Sequence, residues 1–331
     1  MLQFALLISL YSKFTMSDLA ILLMGPTATG KTQLALQLST FYPIEIISVD
    51  SALIYKDMNI GTAKPTVQEL EQVPHHLINI ISPLESYSVA NFITQSSALI
   101  KAISKRGKLP VLVGGTMMYY NALLNGISKL PEADDNIRQQ LHARGLELGW
   151  EDLYDELKSI DNIAALKIMP NDQQRIIRAL EVFYLTGRPI SQLQQENKTI
   201  PTTDVNFLKL AILPSTREIL HQRINQRFIN MLNNGFIEEV KYLQQKYPQL
   251  TIAHSAMRCV GYYQVWKYLS GELSYAQLID AGMAATRQLA KRQITWLKNM
   301  AVINLDDKQN LDLDSMFIQL LKLIKLLRFV N

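Results

Sequence analysis

The chain has 331 residues, of which 48% are hydrophobic and 19% charged, which excludes a disordered, collagen-like or coiled-coil protein. Its 33 lysines and arginines against 29 acids leave a formal charge of +4, a balance that permits an anionic partner without demanding one. A single cysteine, Cys259, excludes an internal disulfide framework. With only five scattered histidines it also argues against a structural zinc site, so a reducing compartment, the cytosol, is expected.

Met1–Tyr11 is an apolar run far short of the about 20 residues a membrane-spanning helix needs, and it lacks the basic start and small-residue cleavage site of a secretory signal. Residues 1–15 read as an extension outside the fold, with Met16 the effective start. Ala20–Met24 is a short continuous apolar run of the kind found in buried parallel strands, and a helical pattern follows through Leu34, Ala35, Leu38 and Phe41. Ile44–Val49 and Pro110–Val113 are predicted to be further buried strands. Strand, glycine turn, helix and strand in this order predict a parallel sheet wound with helices, an α/β fold of the P-loop NTPase type. From 121 to 203 the patterning turns helical (Ile137–Leu148, Trp150–Leu157, Gln173–Leu185) and strand-like runs are missing, which predicts a helical insertion domain. The core, 16–120, then resumes over 204–331 with a strand at Phe207–Leu213. Helices follow at Arg217–Leu232, Gly235–Gln245, Tyr275–Lys298 and Met316–Leu327, with a last strand at Val302–Leu305.

Between the first strand and first helix lies Gly25-Pro26-Thr27-Ala28-Thr29-Gly30-Lys31-Thr32, which fits G-x-x-x-x-G-K-[ST], a pattern shared with ATP-binding proteins, in the context that motif requires. Gly25 and Gly30 let the backbone curl so that successive N–H groups point inward, and the following helix adds its positive end. Lys31 supplies a charge to terminal phosphate oxygens, and Thr32 offers a hydroxyl to Mg²⁺. The motif means di- or triphosphate binding; it does not say whether the phosphate is transferred, hydrolysed or simply departs. Asp50 ends the second strand, in the crevice where wound sheets bind ligands. By itself it is a metal ligand, a substrate anchor, a general base or a cap.

Eight blocks occur in order: GPTATGKT, SVDSALIY, IGTAKP, PHHL, VGGT, NDQQRIIRALEV, RCVGYYQ and LAKRQITWLK. Together they resemble the tRNA dimethylallyltransferases, the tRNA isopentenyltransferase family, from about Ile21 to Trp296. The resemblance implies that the loop holds the diphosphate of dimethylallyl diphosphate and that the prenyl group moves to N6 of adenosine 37 in tRNAs reading codons that begin with U. It implies Mg²⁺ as cofactor and the tRNA anticodon stem-loop as partner; a monomer is expected. It gives Asp50 the part of general base, Lys31, Arg227 and Thr116 places in catalysis, and Thr27 or Thr29 added hydroxyl contacts. Contacts to tRNA are implied for Asp50, Ser51, Ala52, Leu53, Thr116 and Arg138. The segments Gln174-Arg175-Ile176-Ile177-Arg178 and Arg258-Cys259-Val260-Gly261-Tyr262-Tyr263 match further tRNA-contact regions, with Gly261 letting the RNA backbone approach. So does Lys291-Arg292-Gln293-Ile294-Thr295-Trp296-Leu297-Lys298, although Trp296 taken alone reads as a core anchor. Adenosine 37 stacks in its loop, so base flipping is expected. His75 and His76 read as structural or pocket-lining, and Cys259 as a small buried residue.

Two other functions share the phosphate loop and the crevice acid: a nucleotide or small-metabolite kinase, and a non-catalytic RNA-binding NTPase switch. The blocks after residue 170 argue against the first, because a kinase needs no RNA-facing basic segment.

Overall fold

The computed structural model describes residues 19–196, 198–199, 205–305 and 313–328; the extension 1–15 lies outside them. Strands β1 (Leu19–Met24), β2 (Ile44–Val49), β3 (His75–His76) and β4 (Leu109–Gly114) precede the pair β5 (Ile127–Ser128) and β6 (Lys198–Thr199), and β7 (Asn206–Ile212) and β8 (Ile303–Leu305) come last. Six of them form one parallel sheet in the order β3-β2-β4-β1-β7-β8. Every residue of β1, β2 and β4 is buried, which is why these strands read as unbroken apolar runs rather than alternating ones. Leu34 and Leu38 from the helix Lys31–Ser39 and Met316, Leu320 and Ile324 from the helix Leu313–Arg328 pack with Ile21, Leu23, Val111 and Leu210 in the main core.

The described residues divide into two compact units. The first runs up to Tyr120 and resumes from 205; the second comprises 121–199. The second unit has its own core of Leu141, Leu153, Leu157, Ile176 and Leu180. It also contains the antiparallel pair Ile127–Thr199 and Ser128–Lys198, where the sequence predicts no strand. A two-residue ladder is too short to impose a period on the sequence. For a related reason the helices Val89–Lys105 and Tyr262–Leu269 were not foreseen: in each the apolar residues are interrupted by small or polar ones.

His75 and His76 form the edge strand and do not line the crevice described below. His76 Nε2 lies 2.7 Å from Glu45, and His75 Nδ1 donates to the Val73 carbonyl at 2.7 Å. Burial alone would raise the Glu45 pKa, but hydrogen bonds from Arg106, His76 and Lys108 hold it down at about 2. The histidines are therefore structural, and the pocket-lining alternative is corrected.

A second buried carboxylate, Glu239 on the helix Phe236–Lys246, fixes a loop rather than a strand. Its Oε2 accepts the amides of Asn59 (2.8 Å) and Ile60 (2.7 Å), and its Oε1 accepts the Gly61 amide (3.1 Å) and the Tyr262 hydroxyl (2.6 Å). Around it Ile54, Met58, Phe228, Phe236, Val240 and Tyr262 make a separate apolar cluster. Replacing one carboxylate oxygen by an NH2 sets donor against donor in this closed site. Glu239→Gln is therefore expected to destabilise the first unit by about 2–4 kcal/mol. Urea unfolding checks this, and a loss below about 0.5 kcal/mol would show that the loop repacks freely.

Candidate active site

β1, β2 and β4 end side by side, and their carboxyl ends open into a crevice of about 950 Å³, at the upper end of the range for ligand pockets. After β1 the chain turns through Ala28 at φ +64° and Gly30 at φ +84°, left-handed conformations that curl the loop back before the helix Lys31–Ser39 begins. Thr29 is fully buried and its hydroxyl donates to the Pro26 carbonyl at 2.8 Å, which helps to shape the loop. Lys31 Nζ donates to the same carbonyl at 2.6 Å. Burial pushes the Lys31 pKa down to about 7, the nearby Arg227 charge pushes the same way, and Asp50 opposes them. Burial likewise lowers the Arg227 pKa, again against Asp50, though a guanidinium keeps its charge. Thr32 is exposed on the first helical turn and lines the crevice.

Asp50 follows β2. Its Oδ1 accepts the amides of Ala52 (2.8 Å) and Leu53 (3.3 Å), so one oxygen holds the turn while Oδ2 is left for other work. Thr116, after β4, takes the Ser51 amide on its Oγ1 at 3.1 Å and donates its own amide to the Val49 carbonyl at 3.1 Å. The acid and the hydroxyl are thereby set on one frame at the ends of two neighbouring strands. Ile54, Met117, Tyr119, Ile224, Phe228 and Phe236 supply an apolar wall. Arg223, Arg258 and Arg292 add positive charge to the lining. Burial pushes the Cys259 thiol up to about 12, with Asp50 adding to the effect, so the thiol stays protonated and is no nucleophile.

Of the residues predicted from the sequence, Thr27–Thr32, Asp50–Leu53, Thr116, Arg227, Arg258–Tyr262, Arg292, Gln293 and Trp296 all line this crevice. Trp296 is 43% exposed on its wall and is not a core anchor; Leu297 beside it, 1% exposed, fills that place. Buried Leu297 and Ile176 offer no surface to RNA, which corrects both as predicted contacts; Tyr262 borders the crevice but is fully buried, with its hydroxyl spent on Glu239. Gly261 is needed for reasons internal to the fold. It sits at φ +93°, and a Cβ there would stand 2.9 Å from the Phe236 ring, so RNA approach is not what requires it. Gln293 is committed to protein partners on both sides of its amide. The Thr295 hydroxyl is spent on the Lys291 carbonyl at 2.9 Å, and Ile294 packs against Leu220 and Ile224. Lys291 and Lys298 are exposed on the same helix.

The second unit carries Arg138 and Gln174–Arg178. Arg138 and Arg178 both pair with Glu181, which is fully buried, at 2.8 and 2.6 Å, and Arg178 also donates to the Pro131 carbonyl. Arg175 pairs with Asp172 at 3.2 Å, Gln174 is exposed, and Ile177 packs on that unit's core. Glu181 and Glu239 escaped the sequence reading. An isolated glutamate on a helix looks like any solvated charge, and only burial reveals it.

Two family models match the chain, one described as IPP transferase over residues 53–300 and one as isopentenyl transferase over 19–86. A tRNA dimethylallyltransferase of Legionella pneumophila strain Corby is 52% identical over 295 residues, covering 89% of this chain and 93% of its own. One from Chromobacterium violaceum is 51% identical over 291 residues, covering 88% and 89%. The crystal structure of a tRNA isopentenylpyrophosphate transferase from Bacillus halodurans superposes with TM-score 0.67 at 36% identity, covering 95% of this chain and 98% of the other. A eukaryotic dimethylallyltransferase acting on tRNA gives TM-score 0.72 at 31% identity, covering 87% and 74%. With its phosphate loop, crevice acid and nearly full-length likeness to these proteins, the chain belongs to the IPP transferase family of tRNA dimethylallyltransferases.

Proposed function

We propose that this prenyltransferase moves the dimethylallyl group of dimethylallyl diphosphate to N6 of adenosine 37 in tRNAs reading codons that begin with U, leaving diphosphate. The observation that carries the reading is the meeting, in one crevice, of a phosphate loop with two half-buried basic groups, one half-free carboxylate and an apolar wall. In the reaction the allylic carbon–oxygen bond breaks and its electron pair stays on the diphosphate. Lys31, Arg227 and the loop amides neutralise that growing charge. The N6–carbon bond forms as the amine gives its proton to Asp50 Oδ2, while Oδ1 keeps the turn closed. Thr116 is placed to hold the adenine edge beside Asp50.

The family generally uses a divalent metal ion, and Mg²⁺ is the ion proposed here. Among the described residues no three His, Cys, Asp or Glu side chains gather, so the protein offers no cage. Exposed Thr32 on the first turn fits a hard ion completed by substrate oxygens, and such an ion supplies further charge neutralisation at the leaving group.

The exposed Lys291, Arg292 and Lys298 are proposed as phosphate contacts, with Trp296 and Arg258 presenting planes to unstacked bases. Ser51, Arg138, Gln174, Arg175 and Arg178 are proposed as further tRNA contacts, and the anticodon stem-loop as the RNA element held. Adenosine 37 is taken to be everted, at a cost of a few kcal/mol. No helix among the described residues is long and apolar enough to cross a membrane; the cytosol is the proposed compartment and a monomer the proposed state.

Incubating the protein with Mg²⁺, unmodified tRNA and either labelled dimethylallyl diphosphate or ATP tests the reading. Label is expected in the RNA at adenosine 37, whereas phosphate release from ATP without prenyl incorporation would sink it. In the same assay Asp50→Asn, which keeps the Oδ1 cap but loses the base, is expected to lower kcat by about 10²–10⁴-fold at little cost in donor KM. Near-normal turnover would remove Asp50 from proton transfer.

A pH dependence follows from Lys31. Its pKa of about 7 makes it largely neutral above that pH in the free protein, and a bound diphosphate favours the charged form. Binding must then draw a proton onto Lys31 at pH 8, and affinity must fall as pH rises above 7. Calorimetry with dimethylallyl diphosphate, without tRNA, in buffers of different ionisation enthalpy is expected to show uptake of about 0.9 proton at pH 8. The uptake should vanish in Lys31→Arg, and no uptake in the unsubstituted protein would contradict the assignment.

A further inference from the structure

Gln293 stands in the middle of the basic KRQITW segment, yet its amide faces away from solvent into the angle between the phosphate loop and the end of β4. Its Oε1 accepts the Thr27 amide at 3.0 Å, and its Nε2 donates to the Gly115 carbonyl at 2.9 Å. Both bonds are long-range, reaching from residue 293 to positions 27 and 115, on segments that hold different parts of the site. Gly115 is buried, and the reason it is glycine lies in this contact. A Cβ there would stand 2.3 Å from Gln293 Nε2 and 3.2 Å from its Cδ, while the nearest atom outside Gln293, the Gly25 carbonyl oxygen, is 3.4 Å away. Gly115 has no left-handed φ, so space for the amide, not backbone freedom, is what the missing side chain provides.

We propose that Gln293 is a positioning residue for the phosphate loop, acting through Thr27 and Gly115, and not an RNA contact. This rests on the reading of the loop as a diphosphate site. Thr27 precedes the tight part of the loop, where Ala28 and Gly30 adopt positive φ. Holding its amide fixes where the curl begins and hence where the later amides and Lys31 point. The Gly115 carbonyl is one residue before Thr116, so the same side chain sets the distance between the diphosphate grip and the residue beside Asp50. A helix with Lys291 and Arg292 exposed outward thus fastens the loop inward through a residue between its charged and aromatic members.

The test uses the full chain and inorganic pyrophosphate as probe, measured by calorimetry, with tRNA binding and its salt dependence measured separately. Two lost hydrogen bonds at about 0.5–1.5 kcal/mol each correspond to a weakening of about 5- to 150-fold for pyrophosphate in Gln293→Ala. The tRNA affinity and its salt slope are expected to stay within about twofold of the unsubstituted protein, whereas Lys291→Ala should reduce that slope by about one. Gln293→Glu, which keeps an acceptor for Thr27 but sets an oxygen against the Gly115 carbonyl, is expected to weaken pyrophosphate in the same way. Gly115→Ala should do likewise in the native background and cost nothing further in Gln293→Ala, where its methyl group has room. That non-additivity distinguishes positioning from a general loss of packing. Unchanged pyrophosphate affinity in Gln293→Ala with weakened tRNA binding would overturn the proposal, as would additive penalties for the two substitutions. If the unsubstituted protein fails to bind pyrophosphate, the diphosphate reading itself falls and this proposal with it.

Discussion

Two half-buried basic groups in one crevice, opposed by a single carboxylate, are the constraint on which the site depends. Water would solvate Lys31 and Arg227 better than the protein does, and both have pKa values lowered by its removal. Asp50 offsets only part of that cost, and its Oδ1 is occupied by the amides of Ala52 and Leu53. Lys31 donates to the Pro26 carbonyl, a neutral acceptor that does not balance its charge. The sheet explains how such a state is tolerated: β1, β2 and β4 are wholly buried and rigid, so the unfavourable crevice is borne by the apolar core beneath it.

The polar groups around the crevice divide into those that build and those that react, and the division runs through single side chains. Asp50 uses one oxygen for the turn, and Thr116 uses its Oγ1 to receive the Ser51 amide while its own hydrogen is still to be placed. Glu239 goes entirely to building, with four donors on two oxygens. In the proposed reaction a carboxylate held by a turn cannot swing away from its substrate, which is worth more to proton transfer than an additional contact elsewhere. The lining glycines serve the same economy of space, since Gly115 leaves room for an amide and Gly261 for a ring.

What could be read from the sequence follows from what leaves a trace in it. The strands Ile44–Val49 and Leu109–Gly114 lie within a residue of their predicted ends because burial on both faces demands unbroken apolar runs. The phosphate loop was legible because its glycines, lysine and threonine are required by local geometry. The helix Tyr275–Lys298 was found with its bounds, but not which way each side chain of KRQITW turns. There Trp296 meets solvent and the crevice, while Leu297 takes the core and Gln293 reaches two loops. A basic stripe and an inward-facing amide on one helix are indistinguishable until the neighbours are known. The same holds for Glu181 and Glu239, whose importance lies in partners far along the chain.

The apolar wall is what separates a prenyl transfer from the phosphoryl transfer that the loop alone would suit equally well. In phosphoryl transfer, charge spreads over oxygens, and cations, amides and a metal ion are needed on all sides. When an allylic carbon leaves a diphosphate, positive charge grows on carbon at the same moment that negative charge grows on oxygen. Cations close around the carbon would oppose that change. Here Lys31 belongs to the loop, and Tyr119, Phe228 and Phe236 contribute aromatic lining with Ile54, Met117 and Ile224. Ring faces attract a cation without offering it a lone pair, so they favour the developing charge and do not trap it as a covalent adduct. Cys259, also in the lining, is held as the thiol by burial and by Asp50, which withholds the more reactive thiolate. With water displaced by such walls, the adenine amine, proposed to give its proton to Asp50 as the new bond forms, is the acceptor left to capture the carbon.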